Sequence, residues 1–268
     1  MKFADSLKEN LNKLSFENLS KNLDNLNLNL NLKKIFTPNN EGKTNNIDKI
    51  ANNKYGELFD KLDTFDIILF RGEGYWFSYV VEYLTWSDFS HIGLVLKSPT
   101  YISPELTGVY LLESGYETFP DAENHELKFG VQISDLAEVL DNYNGKVYYR
   151  KLNIGNPFID ILDLDFDFDE REKSLQTKIA EIYSHIKNRP YDCCAFDFLK
   201  SEMQLELGNC QDDKKFFCSA LVAYIYTKLE FLPGSTEWSI IIPKHFGVNQ
   251  KIEKSLVNAK FEELESIQ

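Results

Sequence analysis

Short apolar runs separated by polar turns dominate the middle of the chain. Residues 66–71, 91–97, 109–113 and 146–152 are rich in β-branched, aliphatic and aromatic side chains, and turn-forming residues flank them. Apolar runs of this length bounded by turn signals are typical of largely buried β-strands. The pattern therefore predicts four strands in this order along the chain.

Two later segments have a helical rhythm instead. Residues 170–187 carry apolar side chains at intervals of three or four, and residues 216–231 are more apolar and end before Pro233-Gly234. Both patterns predict helices. Between the last two strands, residues 120–145 predict an irregular connection with a short helix over 134–140, for which Ser134 is the expected N-cap. Strands in a block with helices after them predict an α+β fold.

The first 50 residues differ from the rest of the chain. They are rich in Asn, Lys and Leu, with leucines near helical spacing and then the run LNLNLNL. One interpretation is an amphipathic helix that contacts a partner protein or a membrane surface; the other is a weakly ordered extension of biased composition. Residues 37–46 predict a linker. We accordingly divide the chain into an extension with its linker (1–50), a folded domain (51–250) and a C-terminal tail (251–268).

Composition and charge narrow the class of protein. The 268 residues are 43% hydrophobic and 14% aromatic, which is enough for a substantial core. A net charge of −13 argues against nucleic acid as a partner, because phosphate binding needs a basic face. We find neither an 18-residue apolar run nor a signal-peptide pattern, and the four cysteines lack regular spacing. We therefore expect a cytoplasmic protein with reduced thiols.

Two residues far apart in the sequence are candidates for chemistry. His91 begins an apolar strand, where a sheet would hold the imidazole at a cleft; the alternative is a histidine that only ends a strand. Cys218 falls in the first turn of the 216–231 helix, and a helix N-terminus favours thiolate and offers N–H groups to an oxyanion. The alternative for Cys218 is a small buried core residue.

A cysteine–histidine pair needs a third group that orients the imidazole. Glu113 ends the strand after the His91 strand, so neighbouring strands would put both on one rim of the sheet; Glu113 is otherwise a carboxylate facing water. We expect no metal site and no cofactor. Cys193, Cys194, Cys210 and His185 lack zinc-ligand spacing, and the acidic run 160–170 lacks the glycine of a calcium loop.

The ordered motifs resemble a known group of proteins. DIILFRG, TWSDFSHIGLVL, YLLESGYE, KVYYRKL, RPYD, FFCSALVAYIY and IIPKHF follow one another as in the YiiX-like circularly permuted papain-fold proteins of the NlpC-like superfamily, which are related to lecithin–retinol acyltransferase and poxvirus homologues. The resemblance covers about residues 60–245. It implies a permuted papain-like fold in which an antiparallel β-sheet or barrel half precedes the cysteine helix.

The resemblance also implies roles for individual residues. His91 is the base, Glu113 the group that orients it, and Cys218 the nucleophile, while Tyr191 resembles the family's tyrosine near the cleft. We assign Tyr191, Trp86 and Ser90 to substrate binding, although the aromatic residues around the histidine motif have a spacing that equally suits core packing. The implied activity is a cysteine hydrolase or acyltransferase acting on an amide or ester of a peptide or lipid. The alternative is a catalytically inactive papain-fold interaction module.

Overall fold

The computed structural model describes residues 54–72, 88–115, 119–154, 168–192 and 213–267. All of them lie in one compact unit that spans Ala51–Gln268. The N-terminal extension, its linker and the predicted contact with a membrane or partner protein fall outside the described residues, so those expectations stay predictions. Most of the acidic run 160–170 falls outside them as well.

An antiparallel sheet forms the centre of the described part of the chain. Its six strands are β1 (Ile67–Gly72), β2 (His91–Lys97), β3 (Val109–Gly115), β4 (Gly130–Asp135), β5 (Gly145–Arg150) and β8 (Glu265–Ser266). Every pairing is antiparallel, and the spatial order is β4-β3-β2-β1-β5-β8. A short second pair joins β6 (Leu152–Asn153) to β7 (Lys260–Phe261).

Helices cover both faces of this sheet. They are α1 (Gly56–Lys61), α2 (Leu136–Asn142), α3 (Phe168–Ile186), α4 (Cys218–Lys228) and α5 (Lys251–Ser255), with 3₁₀ turns at Trp238–Ile240 and Pro243–Phe246. In β1, Ile67 and Leu69 pack into the cluster that contains α3 and α4, whereas Ile68 and Phe70 pack into the cluster that contains α2. Burial on both faces explains why β1 and β2 are apolar over most of their length instead of alternating.

Helix α4 is the most deeply buried helix with described side chains. Residues 218–226 are all buried, which agrees with an apolar character all round the helix. The segment before it is tied to the end of β3, where the Ser114 hydroxyl donates to the Phe216 carbonyl oxygen at 2.7 Å. Because β2 and β3 are antiparallel, the start of β2 and the end of β3 lie at the same end of the sheet. Helix α4 therefore begins at the end of the sheet where His91 is located.

The predicted mixed α+β class with an antiparallel sheet is confirmed, and so are the four strands and the two long helices. The prediction for residues 120–145 is wrong in two respects. Residues 130–135 form the strand β4, and the N-cap of α2 is Asp135, whose side chain accepts from the Glu138 N–H. Ser134 is a strand residue. Strand β4 requires a glycine at its start, because Gly130 has φ +150° and a Cβ there would lie 2.1 Å from the Arg189 carbonyl oxygen.

Residues 251–268, which the sequence analysis treats as a tail, contribute α5, β7 and β8. Strand β8 pairs with β5 and extends the main sheet. The buried Arg150 guanidinium binds this segment and the turn before it, donating to the carbonyl oxygens of Phe246 (3.0 Å), Gly247 (3.2 Å) and Glu262 (3.1 Å). It also forms an ion pair with Glu253 at 3.2 Å. The folded domain thus continues to the end of the described chain.

Candidate active site

His91 is the first residue of β2 and lies opposite Phe70 of β1, with the ring centroids 5.5 Å apart. Its Nε2 is 2.6 Å from Oε2 of Glu113. The His91 side chain is 25% exposed, whereas that of Glu113 is only 8% exposed. The strand places the imidazole at the edge of the core with one nitrogen already engaged, which leaves Nδ1 for a second partner.

Glu113 is held by two polar side chains from β4. The Ser134 hydroxyl donates to Glu113 Oε1 at 2.7 Å, and Gln132 Nε2 donates to the same oxygen at 3.3 Å. Gln132 is paired with Glu113 in the β3–β4 register, so both side chains leave the sheet on one face. Neither residue is among the site residues predicted from the sequence. Their signal is the alternation in GVQISD, where Gln and Ser interrupt an apolar run at every second position.

Cys218 is the first residue of α4. The N-cap is Phe217, whose side chain makes no capping hydrogen bond. The first backbone N–H groups of a helix have no partner within the helix. At the start of α4 these groups therefore lie free of the helix ladder next to Cys218, where the positive end of the helix dipole also lies. The Cys218 side chain is nevertheless almost completely buried, with 1% exposure.

The charges of the three groups are coupled. Burial alone lowers the pKa of His91, but the charge and hydrogen bonding of Cys218, followed by those of Glu113, outweigh burial and raise the pKa of His91 to about 10. Burial likewise raises the pKa of Glu113, and the hydrogen bond and charge of His91, together with the donors Ser134 and Gln132, bring it below its ordinary value. The arrangement thus favours a protonated His91 ring beside an ionised Glu113.

The backbone before Cys218 is fixed from two sides. Besides the bond from Ser114, the Phe216 N–H donates to the Pro190 carbonyl oxygen at 3.1 Å, and the Phe216 carbonyl oxygen accepts from the Asp192 N–H at 3.0 Å. Two neighbouring residues of β3 thus support the two halves of the candidate site. Glu113 contacts the imidazole, and Ser114 holds the segment that carries the thiol.

The three residues assigned to substrate binding have different positions. Tyr191 is buried and lies between Phe129 and Phe217, with ring centroids 5.2 and 5.7 Å away, so it packs beside the N-terminus of α4. Ser90 is also buried; its hydroxyl donates to the Phe70 carbonyl oxygen and accepts from the Gly72 N–H, both at 3.2 Å. These bonds join β1 to the start of β2. Trp86 lies outside the described residues, and substrate binding by all three stays a prediction.

His245, the histidine that follows Cys218 in the sequence, makes its hydrogen bond outside the candidate site. Its Nδ1 accepts from the Ile242 N–H at 3.3 Å in the last 3₁₀ turn. Burial, with help from Lys251 and Lys244, lowers the pKa of His245 to about 4 and keeps the ring neutral. The remaining cysteines, Cys193, Cys194 and Cys210, lie outside the described residues.

Within the described part of the chain, no group of three or more His, Cys, Asp or Glu side chains is arranged to hold a metal ion. None of the helices in the same residues combines the length and the apolar character needed to span a bilayer.

Comparisons with known proteins give only distant similarity to solved structures. No family model and no curated protein matches the chain. The chain is similar to the crystal structure of metalloprotein yiiX from Escherichia coli O157:H7, with a TM-score of 0.37 and 16% sequence identity, over 77% of this chain and 96% of that one. At this distance the similarity carries no argument about activity or ligands.

Proposed function

We propose that the protein is a cysteine hydrolase or acyltransferase with a permuted papain-like, YiiX-related fold, and that it acts on an amide or ester through an acyl-enzyme. One observation supports the proposal above all others. The buried Glu113 carboxylate contacts the His91 imidazole, and that imidazole interacts in turn with the Cys218 thiol at a helix N-terminus. A histidine or cysteine that only fills the core needs no such partners. Three groups in this order are what nucleophilic catalysis by cysteine requires.

The proposed reaction assigns one role to each group. Cys218 Sγ attacks the substrate carbonyl, and His91 takes the thiol proton and then gives it to the leaving amine or alcohol, so that a thioester remains on Cys218. Water or a second acceptor then attacks the thioester and regenerates the thiol. Glu113 orients the ring and stabilises the imidazolium, and the first N–H groups of α4 donate to the oxyanion.

Trapping of the acyl-enzyme tests the proposal. The protein is incubated with an activated acyl ester, with lipid extract and with peptide extract, quenched in acid and digested, and the peptide that carries Cys218 is weighed by mass spectrometry. We expect an acyl adduct on Cys218, a much smaller yield in His91→Ala, and none in Cys218→Ala. The relative yields from lipid and peptide extracts identify the substrate class. Absence of any adduct on Cys218 with every donor would refute the proposal.

An inactive interaction module remains the second candidate, because one observation favours it: the Cys218 side chain is only 1% exposed. A nucleophile must be reached by its substrate. A sub-stoichiometric alkylating reagent near pH 6 separates the two functions, since a catalytic Cys218 reacts before Cys193, Cys194 and Cys210 and slows when His91 is replaced by Ala. Preferential labelling of another cysteine, independent of His91, supports the interaction module.

A further inference from the structure

We propose that Ser134 and Gln132 of β4 are positioning residues that keep Glu113 ionised and facing His91, and thereby select the tautomer in which His91 can act as a base. This inference deepens the proposed function and rests on it. Neither residue touches the thiol or a substrate carbonyl. Both act through Glu113.

Glu113 is a buried carboxylate that needs hydrogen-bond donors. The Glu113 side chain is only 8% exposed, and an ionised carboxylate only accepts hydrogen bonds, so it must find donors within the protein. Its Oε2 faces His91 Nε2, while its Oε1 receives the Ser134 hydroxyl at 2.7 Å and Gln132 Nε2 at 3.3 Å. Both donors from β4 therefore act on the oxygen that His91 does not use.

The donors on β4 form a directed chain. Gln132 Nε2 also donates to the Ser134 oxygen at 3.2 Å, so the single hydroxyl proton of Ser134 is left to point at Glu113. Within the described residues, Oε1 of Gln132 is buried and has no hydrogen-bond partner. An orphaned buried acceptor costs free energy, and such a group in a folded protein calls for an explanation. The explanation here is that the N–H groups of the Gln132 amide donate to Glu113 and to Ser134.

The charge of Glu113 decides which nitrogen of His91 carries a proton. An ionised Glu113 accepts from Nε2–H, which leaves Nδ1 of the neutral ring as the acceptor for the thiol proton. A protonated Glu113 would instead donate to Nε2 and put the remaining ring proton on Nδ1, where it cannot receive a proton from Cys218. Donors that stabilise the carboxylate therefore stabilise the useful tautomer.

The test uses the whole chain with histidine labelled by ¹³C and ¹⁵N. Four histidines are present, and His91→Gln assigns the His91 resonances. The variants are Ser134→Ala, Gln132→Met, their combination, and Ser134→Thr, which keeps a hydroxyl. We expect Ser134→Ala to lower the pH at which His91 loses its proton by up to about one to two units, because Glu113 is then no longer held against the imidazolium and their charged hydrogen bond weakens. Gln132→Met should lower it less and the pair more, and Ser134→Thr should restore it.

A matched control removes a hydroxyl that does not reach Glu113. Tyr226→Phe deletes a buried hydroxyl whose bond to the Phe65 carbonyl oxygen is also 2.7 Å. It should leave the titration of His91 unchanged even where it lowers the melting temperature. If the double variant does not fold, Ser134→Ala and Ser134→Thr still decide the question. An unchanged His91 titration in folded Ser134→Ala would overturn the inference.

A second readout follows Cys218 itself. The pH profile of its alkylation, measured on the peptide that carries it, should shift in Ser134→Ala and recover in Ser134→Thr. Failure of the proposed function looks different, because the unmodified protein would then form no acyl adduct on Cys218 while the His91 titration still responded to Ser134. The two proposals can therefore fail separately.

Discussion

Replacing Glu113 by Gln tests the orienting role directly. The amide keeps the size and shape of the carboxyl group, so the buried contacts with Ser134 and Gln132 leave the fold intact. It removes the negative charge and turns one acceptor into a donor. An amide N–H facing His91 Nε2 requires that nitrogen to be unprotonated, which is the tautomer opposite to the one that the carboxylate selects.

The magnitude follows from the bond that is lost. The Glu113–His91 contact is 2.6 Å long and largely shielded from water. A hydrogen bond to a charged group contributes about 1.5–3 kcal/mol. At about 1.4 kcal/mol per unit, its loss lowers the pKa of His91 by about one to two units from its value of about 10. The same free energy in the transition state reduces turnover about 10- to 150-fold, and the wrong tautomer can extend the loss toward ~10⁴-fold.

Three measurements check this prediction on one sample of the variant. A urea melt establishes that the fold is retained, NMR titration reports the pKa of His91, and acyl-adduct formation on Cys218 reports the chemistry. We expect an unfolding midpoint close to that of the unmodified protein together with a lowered His91 pKa and slower acylation. Unchanged titration and unchanged acylation in a folded variant would show that Glu113 does not orient the base.

Three further predictions concern His245, Arg150 and the N-terminal extension. The pKa of His245 is lowered to about 4 in the folded state from 6.5, so the neutral ring contributes stability that is present above pH 6.5 and is lost as the pH falls toward 4. His245→Asn should remove that part of the acid dependence in urea melts and leave the alkylation of Cys218 unchanged; loss of alkylation would make His245 the partner of the thiol. Arg150→Met should destabilise the protein by about 3–5 kcal/mol, because it leaves buried carbonyl oxygens and Glu253 without their cation; a loss below about 1 kcal/mol in denaturant titration would show that the C-terminal segment does not depend on this contact. A chain that starts at Asn52 should keep a cooperative calorimetric transition, since the described core lies after residue 53; a molten product would show that the leucines of the extension belong to the core.

The features that the sequence determined by itself are those set by local patterns. The strand that begins at His91 and the helix that begins at Cys218 were both predictable, because apolar runs and a helical period depend on neighbours along the chain. The candidate site was predictable to the same extent. His91, Glu113 and Cys218 each stand at the end of an element whose type the sequence indicates, and strand neighbourhood brings the first two together.

The tertiary structure alone decided which residues complete that site and where the domain ends. The local sequence predicts Ser134 as a helix cap. Only the register of β3 with β4 places Ser134 and Gln132 beside Glu113. The pairing of β8 with β5 and the contacts of Arg150 likewise join residues about a hundred positions apart. Such pairings depend on which strands meet and with what offset. That choice minimises the free energy of the whole sheet, and no short stretch of sequence carries it.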